Sequence, residues 1–211
     1  MTTLTLKEKA YAHLREVILK GELKPGDFLT ERTLVEMLGM SRTPIRAALE
    51  RLDVEGLAKY TPNKGLIVAE ISMNRVIDFF DYRMAIECYV VRRLAERHWS
   101  KEDVEWFREN LRLQRQYVAE LDYVSFTQAD SLFHRKLMKV YDNSEITATM
   151  EQLQDRMFQI ALKVLRKEQS RIQASYEDHA QIFEYIVQGN SDKANQQMEQ
   201  HLEYGKQILI M

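Results

Sequence analysis

The stretch LTERTLVEMLGMSRTPIRAALERLDVEGL, Leu29 to Leu57, decides how the first third of this chain folds. Thr30 can cap a short helix that runs through Leu38, because its hydroxyl oxygen accepts one of the backbone N–H groups left over at a helix start. Gly39 can stop that helix, since glycine enters the left-handed conformation of a C-terminal cap without steric cost. Ser41 stands in the next cap position. Pro44 falls in the first turn of the following helix, where its missing N–H does no harm. Ala47, Ala48, Leu49 and Leu52 carry this second helix towards Gly56. Two short helices joined by a tight Gly39-Met40 turn make a helix-turn-helix signature.

The flanks complete a small domain. Upstream, Thr5-x-x-Glu8 is a capping-box pattern, followed by an apolar stripe of Ala10, Tyr11, Leu14, Val17 and Ile18 and a stop at Gly21. A turn is expected at Pro25-Gly26. Downstream, Leu57–Tyr60 and Leu66–Ala69 flank the turn residues Pro62-Asn63-Lys64-Gly65 and read as a β-hairpin, the wing of a winged helix-turn-helix. All three prolines and five of the seven glycines lie in the first 65 residues, whereas Leu66 to Gln188 contains neither. Turns draw on those residues and long helices exclude them. The expected division is therefore a turn-rich domain over 1–70, a linker over 71–73, and a helical domain over 74–211.

Six helices are expected in the second domain. Ser72 caps the first, near 74–98, and Ser100-x-x-Asp103 opens the second, to about Glu120. Asp122 precedes the third, to about Val140. Ser144 caps the fourth, to about Lys167. The fifth runs from about Arg171 to Gln188 and the sixth from Ser191 to about Leu209. Connections of two to four residues make an antiparallel bundle the expected packing. The fold class is mainly α: a winged helix-turn-helix with a small hairpin, then an all-α antiparallel six-helix bundle. Trp99 and Trp106 are most simply packing residues at a helix connection, and most of the ten methionines core filler.

Composition adds bounds. With 211 residues and 45% apolar content the chain can bury a real core. Its net charge of −2 conceals no strongly basic segment: residues 1–70 hold eleven Lys/Arg against ten Asp/Glu, and 71–211 nineteen against twenty-two. Any surface for nucleic acid must be a local patch. The single Cys88 excludes an intramolecular disulfide, fits a reducing cytosol and is most simply a small buried residue. No apolar run approaches the ~18 residues of a membrane span, and the N-terminus lacks a signal-peptide pattern. The expected location is the cytoplasm, with no membrane partner.

Four residues of the second domain have metal-ligand chemistry and compatible spacing. Asp130 and His134 are four apart, so on a helix they share a face. His179 lies ten residues before Gly189, and His201 eleven after Asn190. If that Gly-Asn break joins two antiparallel helices, both histidines sit roughly 15–17 Å from the turn, at matching height. Borderline metals accept imidazole nitrogen and carboxylate oxygen together. An isolated D-x-x-x-H is weak, and any one of these histidines taken alone is more simply a surface residue; the matched heights favour the joint reading.

The segment Ser41-Arg42-Thr43-Pro44-Ile45-Arg46, with Leu29–Leu34 before it and Glu55-Gly56-Leu57 after it, resembles the winged helix-turn-helix of GntR-type transcriptional regulators. Asp130 and His134, Asp178-His179, and Met198-Glu199-Gln200-His201-Leu202 resemble the FCD effector domain of the FadR branch; six helices favour its shorter, VanR-like subgroup. The departures are small: Val35 stands where alanine is commoner, and Asn63-Lys64-Gly65 replaces the usual Pro/Arg-containing wing turn. The resemblance implies a homodimer on a pseudo-palindromic duplex operator. Arg42 and Arg46 then lie at the end of the recognition helix that enters the major groove, where arginine grips guanine bidentately. Arg32 is expected on phosphate or a base, Thr43 on phosphate or its own backbone, and Lys64 on backbone or minor groove. A solvated helix face is the alternative for the arginines outside this context.

The same resemblance implies one divalent transition metal per chain (zinc, nickel or manganese) on Asp130, His134, His179 and His201, with positions left for a small carboxylate effector. Hydrogen-bonded core histidines are the alternative. Arg83 interrupts the apolar stripe Val76, Phe79, Phe80, Ile86, Val90, Leu94, and the family's corresponding helix supplies an arginine to the effector pocket. A guanidinium there matches a carboxylate; the plainer reading is a pair with Glu87 or a stem reaching solvent. The expected function is a regulator whose operator binding is controlled by a small organic acid, and not an enzyme. A regulator for which metal is the signal is the first alternative. A metal-dependent hydrolase with an accessory DNA-binding domain is the second, and it lacks a motif such as H-E-x-x-H.

Overall fold

The computed structural model describes residues 4–211 and divides into two compact units, one ending at Ile71 and the other spanning Ser72–Met211. In the first, α1 (Leu6–Leu19) starts at a complete capping box: the Thr5 hydroxyl accepts from the Glu8 amide, and the Glu8 carboxylate accepts from the Thr5 amide at 2.7 Å. Strand β1 (Phe28–Thr30) leads directly into α2 (Glu31–Leu38), with Thr30 accepting from the Thr33 amide at 3.1 Å. Gly39 ends α2 with φ 62°, and α3 (Arg42–Val54) follows. Ser41 occupies the N-cap position, yet its side chain makes no cap hydrogen bond, so the expected serine cap is positional only. Ala10, Leu14, Leu34, Ile45, Leu49, Leu52 and Leu66 are fully buried and form the core of the unit.

The wing is larger than a hairpin. Strands β2 (Ala58–Thr61) and β3 (Gly65–Val68) pair antiparallel, and β1 adds to the other edge of β3, with Leu29 opposite Leu66. Three residues between Asp27 and α2 gave no alternation to read. Gly65 makes this sheet possible: its φ is 143°, and a Cβ there would meet the Leu29 carbonyl oxygen at 2.1 Å. Behind the wing sits a buried carboxylate. Glu31 accepts from Arg46 Nε and Nη2 at 3.0 and 2.9 Å, from the Tyr60 hydroxyl at 2.8 Å and from the Asn63 amide at 3.0 Å. It ties the start of α2 to α3 and to the tip of the wing, and Arg46 above all holds its carboxyl below the usual range.

In the second unit α4 (Met73–Arg83) and α5 (Tyr89–Ala95) are one rod interrupted by a π-helical turn at Met84–Cys88. Then come α6 (Lys101–Glu120), α7 (Tyr123–Tyr141), α8 (Ser144–Gln152), α9 (Gln154–Lys167), α10 (Arg171–Val187) and α11 (Ser191–Ile210). The side chains of Ser72, Ser100 and Asp122 cap α4, α6 and α7. Two expectations need correction. The fourth segment is not one helix, because the chain breaks at Leu153 into α8 and α9, so a six-helix count takes these two as one bent rod. Its cap is Asn143 and not Ser144: the Asn143 side-chain Oδ1 accepts from the Ile146 amide at 3.1 Å. No proline or glycine marks that break, which is why periodicity ran through it. Trp99 packs edge-on to Phe107 and Phe183 at 5.5 and 5.7 Å, and Phe107 meets Phe133 in the same aromatic core.

Gly65→Ala is expected to destabilise the first unit by about 2–4 kcal/mol, through strain and the forced separation of β1 from β3. Amide hydrogen exchange at Leu66–Val68 measures it; protection equal to wild type would show that the sheet does not need the glycine.

Candidate metal centre

Asp130, His134, His179 and His201 come together in the middle of the second unit. All four are buried, and one ligand atom from each lies within 4.8 Å of the others. Helix α7 supplies Asp130 and His134 from one face. The tight turn at Gly189 (φ 75°) returns α11 against α10, so His179 and His201 meet with Nε2 atoms 3.3 Å apart. His179 Nε2 lies 3.5 Å from Asp130 Oδ1, and His134 Nε2 lies 4.0 Å from the same oxygen. Phe133 stacks on the His179 ring at 4.6 Å and fixes its plane.

What makes this a donor set is the use of the other ring nitrogens. His134 Nδ1 lies 2.5 Å from Glu87 Oε2. A carboxylate only accepts, so Nδ1 carries the proton and the lone pair is left on Nε2. His179 is fixed by a longer route. Asn110 Nδ2 donates to the Ala129 carbonyl at 3.0 Å, Gln114 Nε2 donates to Asn110 Oδ1 at 2.7 Å, and Gln114 Oε1 then accepts from His179 Nδ1 at 2.8 Å. Each amide is oriented by the one before it, and the chain starts at a backbone carbonyl that cannot turn round. His201 Nδ1 lies 3.1 Å from Asp178 Oδ2, which only accepts, and 3.0 Å from Arg171 Nη2, which only donates; Arg171 also donates to Asp178 Oδ2 at 2.7 Å and to the His201 carbonyl at 3.2 Å. When Asp178 takes the Nδ1 proton of His201, as metal ligation at Nε2 requires, three Nε2 lone pairs face one another beside a carboxylate. His134 Nε2 is buried and has no hydrogen-bond partner. Such an orphan is costly unless a cation fills the gap, so the residues fit a divalent metal.

The electrostatics agree. Burial, with the neighbouring imidazoles and guanidiniums, pushes His179 well below the ordinary histidine range. Burial likewise brings His201 down to about 4, against the opposing pull of Asp178. Burial would raise Glu87, but Arg83 and His134 overcome it and hold its carboxyl down to about 2. Both histidines are therefore neutral, as ligation requires, within a frame of ionised carboxylates.

Beside the cluster is a narrow cavity of about 30 Å³, whose wall includes Arg83, Asp130, Arg171, Ser175 and His201. Arg83 is buried; its Nε donates to Glu87 Oε1 at 2.5 Å, while Nη2 has no partner. The Glu87 pair and an arginine at the cavity are thus both present. Arg171, Gln114 and Asn110 were not expected from sequence. In the first unit Arg32, Arg42, Thr43 and Lys64 are exposed, and Arg32 pairs with Glu36 at 2.9 Å. Arg46 is 39% exposed and committed to Glu31, with Nη2 also donating to Asn63 Oδ1 at 2.7 Å. Cys88 is half-buried, its thiol pushed up to about 12 by burial and by Glu87.

Comparison with known proteins settles the family. Residues 6–68 match the model of bacterial regulatory proteins of the gntR family, and residues 78–204 match the FCD domain. The chain belongs to the GntR regulators that carry an FCD domain. It is 28% identical over 204 residues to the HTH-type transcriptional repressor RspR of Escherichia coli K12, covering 95% of this chain and 87% of that protein. It is 26% identical over 175 residues to the gluconate operon transcriptional repressor of Bacillus subtilis, covering 81% of this chain and 68% of that one. A GntR regulator structure from Rhodococcus sp. RHA1 superposes with TM-score 0.79 at 22% identity, covering 96% and 97% of the two chains, and so shares the fold. The FCD family and these relatives are transcriptional regulators. Among the described residues no helix is long and apolar enough to cross a membrane.

A histidine with a depressed folded-state pKa binds fewer protons folded than unfolded. Its stabilisation is therefore complete above the unfolded value near 6.5 and lost as pH falls towards the folded one. Protein stripped of metal by a chelator should thus lose stability between about pH 6.5 and 4, on the order of 3 kcal/mol from His201 alone. Urea denaturation across that range checks it; a flat profile would mean that the histidines are not buried neutral.

Proposed function

We propose that this regulator binds a pseudo-palindromic DNA operator as a homodimer, and that a small organic acid controls it from a metal-containing FCD domain. The observation that carries the proposal is one juxtaposition. Asp130, His134, His179 and His201 converge at the edge of a cavity whose wall includes Arg83, and the buried Nη2 of that arginine has no hydrogen-bond partner. A divalent ion (zinc, nickel or manganese) held by Asp130, His134, His179 and His201 supplies a positive charge with room in its coordination shell. Arg83 and Arg171 supply guanidinium forks, which match carboxylate geometry. Such contacts gain strength where water is scarce. The gluconate operon repressor among the relatives fits a sugar acid or a similar hydroxy acid as the signal.

The cavity holds only a water or two at its present size. On this reading an acid enters as the apolar wall of Ile160, Ala161 and Val164 on α9 moves outward, which ties binding to a change of shape. A ligand shifts such an equilibrium by its differential affinity for the two arrangements. The alternative in which metal itself is the signal uses the same four residues and differs in needing no acid. The hydrolase alternative gains nothing from the site, because its flanking carboxylates, Glu87 and Asp178, are tied to imidazole and guanidinium groups.

Wild-type protein is expected to carry about one metal per chain and His134→Ala/His201→Ala much less, by elemental analysis. Equal contents would remove the assignment. In a thermal-shift screen of metabolic acids, a hit at a hundredfold excess over its Kd should stabilise by about 2.7 kcal/mol and lose that effect with chelator. Equal binding to metal-free protein would make the histidine cluster structural.

On the DNA side, Arg32, Arg42, Thr43, Arg46 and Lys64 are the proposed contacts. Arg46 also braces α3 against Glu31 and the wing, so its removal would mix lost contact with lost geometry. Arg42→Ala is the cleaner test. It should cost about 1–3 kcal/mol of preference for sites selected by wild type from random duplexes. An unchanged preference would take Arg42 out of base recognition.

A further inference from the structure

We propose that Glu87 couples the two halves of this site, so that an anion on Arg83 and a metal on His134 strengthen each other's binding through one shared carboxylate. The inference rests on the metal-and-acid reading above and adds the residue that links its two parts. Glu87 is fully buried in the π-helical turn, and both its oxygens are committed: Oε1 to Arg83 Nε and Oε2 to His134 Nδ1, each at 2.5 Å. Arg83 lines the cavity, and its buried Nη2 has no hydrogen-bond partner. Beyond His134 lies its unpartnered Nε2, facing Asp130 and His179. The path from cavity to donor set is thus one guanidinium, one carboxylate and one imidazole in direct contact, with Glu87 fully buried between the other two.

The sign follows from charge. With the cavity free of anion, the single negative charge of Glu87 is divided between a guanidinium and an imidazole. An anion on Arg83 offsets the guanidinium, and the carboxylate then acts more fully on His134. A carboxylate on Nδ1–H raises the donor strength of the opposite nitrogen, as carboxylate–histidine pairs behind metals do. Linkage requires the reverse: metal on Nε2 draws Glu87 towards His134 and frees Arg83 for the anion. Helix geometry alone does not provide this. A π-helical turn alters which residues after Arg83 share its face, and such turns recur at functional sites.

Zinc affinity measured by chelator competition tests the coupling with metal as the sole probe, in full-length wild type, Arg83→Met, Glu87→Gln and the double variant. Arg83→Met mimics the offset guanidinium and should bind zinc several-fold more tightly. Glu87→Gln should bind it about 10- to 100-fold more weakly, the usual range for a lost partner behind a ligand. In the double variant Arg83→Met should no longer matter. The coupling is overturned if Glu87→Gln leaves zinc affinity unchanged, or if Arg83→Met changes it by the same factor with and without Glu87. Failure of wild type to bind any divalent metal would sink the metal reading and the coupling together; the two results above sink the coupling alone. A second readout needs no metal and covers the case in which Arg83→Met does not fold. Ring ¹⁵N spectra of metal-free protein should show His134 protonated at Nδ1 in wild type and at Nε2 in Glu87→Gln, where the amide donates instead. The same tautomer in both proteins overturns the proposal.

Discussion

Three imidazoles can be buried side by side only if each spends its Nδ1–H on an acceptor inside the protein, and the second unit is arranged around that constraint. Each acceptor comes from a different helix or turn: Glu87 from the π-helical turn, Gln114 from α6, Asp178 from α10. Each is itself held, by Arg83, by Asn110 and the Ala129 carbonyl, and by Arg171 and Gln197 respectively. A half-satisfied polar network of this depth would cost more than an apolar core. The network leaves His134 Nε2 and Arg83 Nη2 buried without a hydrogen-bond partner. The first lies in the donor set, where a cation would complete it, and the second belongs to an arginine that lines the adjoining cavity.

Much of this site was legible in the sequence because helical geometry is periodic and a turn has two sides. The i,i+4 spacing placed Asp130 with His134, and the Gly189-Asn190 turn set His179 level with His201 with no knowledge of packing. The helix-turn-helix was legible for a related reason: Thr30 and Gly39 carry their backbone consequences with them. The supporting residues were not legible. Gln114 and Asn110 lie 65 and 69 positions before His179 on a mostly charged helix. Nothing local separates them from solvent-facing amides until α6 is packed against α10. Glu87 was visible as a partner of Arg83, but its second oxygen depends on a turn of π-helix that no residue type marks. The break at Leu153 and the third strand at Phe28–Thr30 escaped for the same reason: tertiary contacts decide them.

The two units answer the burial of charge in parallel ways. In the first, Glu31 is buried with its oxygens shared among Arg46, Tyr60 and the Asn63 amide, and this fixes the recognition helix relative to the wing. Breaking one partner of such a group costs more than the pair contributes, because the remainder is left buried and unpaired. Arg46 therefore cannot be exchanged for its charge alone, and Lys in its place would lose the two-pronged grip on Glu31. Arg42, one turn earlier and exposed, carries no such duty. The sequence motif treats the two arginines alike; in the structure Arg42 is simply exposed, whereas Arg46 must also hold the domain in shape.

The second unit uses the same device in a form that can move. Arg83 and Glu87 are as deeply buried as Glu31, yet Arg83 keeps one nitrogen unspent, and it borders a cavity too small for the ligand its charge suits. A rigid site would close that gap by packing. Here one wall is α9, which begins at the uncapped break of Leu153 and turns Ile160, Ala161, Val164 and Leu165 towards the cavity. The polar side of the cavity is fixed by the histidine network, whereas the side chains that α9 turns to it are aliphatic. On the proposed reading an anion drawn to the fixed charges displaces the apolar wall, and movement of α9 turns occupancy of the site into a change of shape.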